Sequence, residues 1–115
     1  MLWVALASFL TAACGGAFLM VRVIQKKPLP SIVTILHGVF GALGLTLLII
    51  AALSAGSFGA VGVALVVLVL VALGGLLNLL IHLKKGKPWL PLVLIHGAAA
   101  IFGASVLIYA ILSQG

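Results

Sequence analysis

The chemistry open to this chain rests on very few side chains. Its 115 residues include no Asp or Glu; three histidines, one cysteine and six Lys or Arg are the groups able to bind or react. Two of the histidines, His37 and His96, stand 59 positions apart, and each is followed by a glycine. There is no Ser-His-Asp set, no Cys-His pair and no phosphate loop, so the sequence does not support an independent hydrolytic or transferase enzyme. A neutral imidazole can do three things: ligate a metal or haem iron through one ring nitrogen, carry a proton near neutral pH, or hydrogen-bond a neighbouring helix.

The elements that carry these histidines must lie in a bilayer. Hydrophobic residues make up 66% of the chain and charged residues 5%, too few for a surface that faces water. The six cations are Arg22, Lys26, Lys27, Lys84, Lys85 and Lys87. They form two short clusters, not a basic surface, and so do not suggest nucleic acid. Apolar stretches run over 2–24, 30–53, 58–83 and 89–112. Each reaches the roughly 20 residues that a helix needs to cross a bilayer. Helices and closed barrels alone satisfy their backbone in lipid, and no alternating short strands are present to build a barrel. The expected fold is all-α: a single integral membrane domain, 1–115, folded as an up-down bundle of four transmembrane helices.

Three short connections join the stretches: Gln25 to Pro30, Ser54 to Ser57, and Lys84 to Pro88. The first and third share one face and, with Arg22, hold every charge. The positive-inside rule puts that face in the cytoplasm and both termini outside, in what is expected to be a bacterial inner membrane. Trp3 and Tyr109 fall near the outer interface and Trp89 near the inner one, as aromatic belts do. The first stretch lacks a basic leader and is read as a span, not a cleaved signal. Cys14 is read as a small packing residue.

The two halves are related. At an offset of 59, residues 1–56 and 60–115 share 16 identities in 56 ungapped pairs. An apolar composition gives about a tenth by chance. The excess lies in Gly15-Gly16 on Gly74-Gly75, Lys26 on Lys85, His37-Gly38 on His96-Gly97, and Gly44 on Gly103. The unit is a helical hairpin with a basic turn. Two copies in one orientation are parallel repeats about an axis along the membrane normal.

That axis passes between His37 and His96, each roughly 10 Å below the basic interface at 1.5 Å per residue. Ionisable residues inside a membrane are costly and are a functional hypothesis by default. Two imidazoles on diagonal helices suit the axial ligation of one haem b. Glycines would give a flat macrocycle room: Gly41 and Gly44 on the face of His37, Gly103 with Ala100 on the face of His96, and Gly15, Gly16, Gly74 and Gly75 on the other two helices. Arg22 and His82, with Asn78, would meet the propionates.

This pattern of His37, His96 and their glycines resembles the four-helix membrane b-type cytochromes, cytochrome b and cytochrome b561 in the broad sense. The resemblance covers about eight residues and not the full chain. It implies electron transfer, with quinone as an exchange partner. Those families usually carry two haems on four histidines, and here the outer half has none.

Other readings stand beside it. The histidines can be polar contacts between helices, and the glycines close packing points. The chain then serves as a cofactor-free accessory subunit of a larger membrane complex, or as a homo-oligomer. A small transporter resembling the small multidrug resistance proteins in size and helix count is the third reading. Those proteins depend on a membrane-embedded Glu, which this chain lacks.

Overall fold

The computed structural model describes residues 1–56 and 58–114. Ser57, at the end of the second connection, and Gly115, at the end of the second repeat, lie outside the described residues. Four helices follow in order: α1 (Leu2–Ile24), α2 (Ser31–Ser54), α3 (Gly59–Lys85) and α4 (Leu90–Gln114). All four are long and apolar enough to cross a membrane. The chain is an all-α bundle, 44 × 20 × 18 Å along its principal axes. The observed ends lie within two residues of the expected stretches.

Local chemistry stops α1 and α3 at the basic turns. Lys26 adopts a left-handed φ of 56° after α1. Its N–H and that of Lys27 cap the carbonyls of Val23 and Arg22, a Schellman ending normally given to glycine. Pro30 then precedes α2, where its missing N–H costs nothing. Gly86 ends α3 in the left-handed region, at φ 74°, with its N–H on the carbonyl of His82. Inside the spans, hydroxyls bond back to their own helix: Ser8 to Val4, Thr11 to Ala7, Thr46 to Ala42 and Ser105 to Ile101. In hydrocarbon no water could serve them.

The helices form a closed square. α1 packs on α2 and α3 on α4 within the hairpins; α1 also meets α4, and α2 meets α3. The diagonal pairs are therefore α1 with α3 and α2 with α4. Residues related by the 59-residue offset hold matching places. Ala5 and Ala64 are fully buried, as are Leu48 and Leu107, the two largest side chains without exposure. Gly44 and Gly103 are likewise buried.

The core is one-sided. Its buried cluster comprises Ala5, Leu6, Leu48, Val61, Ala64, Leu68, Leu107, Ala110 and Ile111, all in the half away from the basic loops. In the basic half, across 13–43 and 69–102, every described residue is half-buried or exposed. Helices unpacked in a membrane stay in lipid, so burial among them is rewarded mainly by packing. Leu48→Ala or Leu107→Ala should therefore cost about 2 kcal/mol, the low end of the range for soluble cores. Leu53→Ala, on the lipid surface, should stay within about 0.5 kcal/mol. Unfolding in mixed detergent micelles, followed by helical circular dichroism, measures both.

Candidate functional site

His37 lies on α2 and His96 on α4, so the diagonal brings both imidazoles to the middle of the bundle. Their ring centroids are 6.1 Å apart and their planes are crossed at 83°, an edge-on arrangement and not two rings stacked face to face. His37 Nδ1 lies 2.7 Å from the carbonyl oxygen of Ala12 on α1. A carbonyl can only accept, so Nδ1 carries the proton and Nε2 keeps its lone pair. The 59-residue offset pairs Ala12 with Val71 on α3. Nδ1 of His96 nevertheless has no partner of hydrogen-bond geometry and is sealed from solvent.

The glycines next to the histidines explain how the rings fit. A Cβ on Gly16 would stand 2.8 Å from His37 Cε1, and one on Gly75 would stand 2.9 Å from His96 Cε1. Each imidazole thus occupies a notch in the preceding helix of its own hairpin. Gly15 lies against the Cβ of His37, and Gly74 faces His96 Nδ1. Further out, Gly44 receives the ring of Phe9, while Gly103 receives Leu68 and Val67. Gly41 is different, because a Cβ there would meet nothing within 4 Å.

Those contacts bear on the haem expected between the rings. Gly16, Gly75, Gly44 and Gly103, expected to admit a macrocycle, are filled by protein side chains. Arg22, expected at a propionate, donates from Nε and one terminal nitrogen to the carbonyl of Pro28, at 2.9 and 2.6 Å. It clamps the first basic turn instead. In this packing the residues do not fit a haem, and no step is derived through one. The histidine pair and its glycines are brought together as the spacing implied; Arg22 and the outer glycines serve other contacts.

α3 adds two polar residues to the same region. Asn78 and His82 follow Gly75 at three and seven residues, on one helical face. Asn78 Oδ1 and His82 Nδ1 are sealed and unpartnered, like His96 Nδ1. Their offset mates in α1 are the apolar Leu19 and Val23. Among the described residues no group of three or more metal-ligating side chains of the His, Cys, Asp or Glu type is present. Cys14 is exposed. Compared with family models, curated proteins and solved structures, the chain has no match.

Glycine at 16 and 75 is required by a ring, whereas glycine at 38 is not, since a Cβ there meets nothing within 4 Å. Gly16→Ala and Gly75→Ala should each lower stability by about 1–3 kcal/mol through overpacking. Gly38→Ala should be neutral or stabilise by up to about 1 kcal/mol through helix propensity. Thermal unfolding of the three variants in one detergent separates the two cases.

Proposed function

We propose that this chain is an integral membrane subunit that works without a cofactor, its two histidines locking the helical hairpins by seating in glycine notches. The observation that carries this reading is the seating of His37 on Gly16 and of His96 on Gly75. Each ring is used to join the two helices of one hairpin, and the space beside the glycine is spent on that contact. The outer surface supports a partner. α2 exposes Gly38, Ala42 and Thr46, small residues at every fourth position on its lipid side. Such a strip lets a second membrane helix approach closely. The partner is another membrane subunit or a second copy of this chain. The basic turns would lie in the cytoplasm of a bacterial cell, as the positive-inside rule favours.

A second reading, one haem b held by His37 and His96 for electron transfer with quinone, keeps a specific observation in its favour. The bond from Nδ1 to Ala12 leaves Nε2 of His37 free, as an axial ligand requires. The two rings, 6.1 Å apart, lie on the bundle diagonal. Haem, when bound, would supply one-electron chemistry. Admitting it would require α2 and α4 to part and the rings to leave their notches.

One preparation decides between them. The protein is expressed with ample haem, purified in mild detergent, and examined for both its absorption spectrum and its particle mass. The expected result is a folded, colourless protein in a particle heavier than one chain. A Soret band that disappears in His37→Ala and His96→Ala would overturn the cofactor-free reading. A colourless particle with the mass of a single chain would overturn the subunit reading.

A further inference from the structure

The two basic turns hold matching places in the repeat but are closed differently. In the first, the Arg22 guanidinium reaches the Pro28 carbonyl and clamps the turn. The 59-residue offset sets Ile81 against Arg22 and Lys87 against Pro28. Ile81 has no donor to offer, so this clamp has no counterpart in the second turn. A surface hollow of about 350 Å³ lies there instead, lined by Ile81, Lys85, Lys87, Pro88 and Trp89. That size is at the lower end of the range for small-ligand sites.

The lining is cationic on one side and apolar on the other. Lys85 and Lys87 flank Gly86, whose left-handed φ of 74° turns the chain between them. The sequence holds no Asp or Glu, so no side-chain carboxylate can neutralise either lysine. The hollow also adjoins the start of α4 at Leu90. The first N–H groups of a helix have no acceptor within it and favour an anion. Toward the membrane, Ile81 leads down α3 to Leu77 and Leu70, both exposed on the same side. Trp89 is exposed as well, and an indole at a membrane interface offers an apolar face to lipid and one N–H to an oxygen. Topology accounts for cations on this face, but not for a hollow that two of them share with an indole and an apolar wall.

We infer that this hollow is a binding site for one anionic phospholipid, its phosphodiester at Lys85 and Lys87 and its acyl chains along Ile81, Leu77 and Leu70. Charge complementarity selects the headgroup, and the apolar wall selects a lipid. A free phosphate would use the lysines and leave Ile81 and Trp89 without a partner. A zwitterionic lipid would bring its own ammonium beside two more, which like charges disfavour. The bound lipid supplies the negative charge that the chain lacks at its second turn. The site depends on neither reading of the protein's role, since it rests on the turn and not on the histidines.

The test is fluorescence quenching of Trp89 in a Trp3→Phe background, which leaves it as the one tryptophan. The full chain is reconstituted in phosphatidylcholine bilayers with rising fractions of brominated phosphatidylglycerol. Bromine quenches at close range, so the curve gives the preference of this site for the anionic lipid over brominated phosphatidylcholine. Two lysines at an anionic surface should give a preference of about twenty-fold, and Lys85→Gln and Lys87→Gln should each lower it about five-fold. Both lysines are exposed, so these variants keep the fold. Lys26→Gln, in the clamped turn, should leave the preference unchanged. Equal quenching by the two brominated lipids would overturn the site. An equal loss with Lys26→Gln would also overturn it, by reducing the effect to general attraction at the basic face. Inorganic phosphate, added at constant ionic strength, should not relieve the quenching; relief would overturn the lipid as occupant in favour of a free anion.

Discussion

A polar group in hydrocarbon has no solvent to fall back on, so each must find its partner within the protein. The contact between an imidazole and a notched helix is this chain's principal answer. His37 reaches α1 because Gly16 has no side chain, and that reach brings Nδ1 to the Ala12 carbonyl. A methyl at residue 16 would block the ring at 2.8 Å. The hydrogen bond thus depends on a missing atom in the partner helix. The same notch recurs at Gly75, and the two seated rings fix where the diagonal helices meet.

The rest of the bundle divides around that level. Beyond it, away from the charges, small and branched side chains alternate closely enough to exclude solvent: Ala5 and Ala64 permit close approach, and Leu48 and Leu107 fill the centre. On the basic side the helices carry rings, an amide and cations that cannot interlock in that way. Arg22 turns outward to hold the Pro28 carbonyl, which fixes the first turn and leaves the interior below it without its charge. Dry packing and polar chemistry are thereby segregated along the membrane normal.

The spans were legible because in this chain composition alone identifies them: four uninterrupted apolar stretches divided by prolines, glycines and cations leave little freedom. The pairing of His37 with His96 was legible for a related reason, since offset and depth follow from rise per residue. What occupies a glycine was not. Sequence places Gly16 and Gly44 at a depth and on a face, but not which side chain enters the notch; that depends on helix rotation and rotamer. Gly44 shares a face with His37, yet it receives Phe9 from the neighbouring helix. Gly41, one turn from His37, receives nothing. Arg22 likewise reads as a cation for a propionate until the backbone of its own turn is seen to curl back toward it.

The two hairpins also differ in a way that their common pattern conceals. In the first, His37 bonds Ala12 through Nδ1, Arg22 bonds Pro28, and the face toward the basic turn carries Leu19 and Val23. In the second, Asn78 and His82 stand at those two positions, and with His96 they leave three sealed atoms without partners. A repeat used only for packing gains nothing from polar residues at positions that its twin fills with apolar ones, because each unpaired atom costs about 1–3 kcal/mol. The shared architecture accounts for the seating of both rings. The difference between the hairpins lies in the polar line along α3, so the residues that break the symmetry carry the most information about what this protein does.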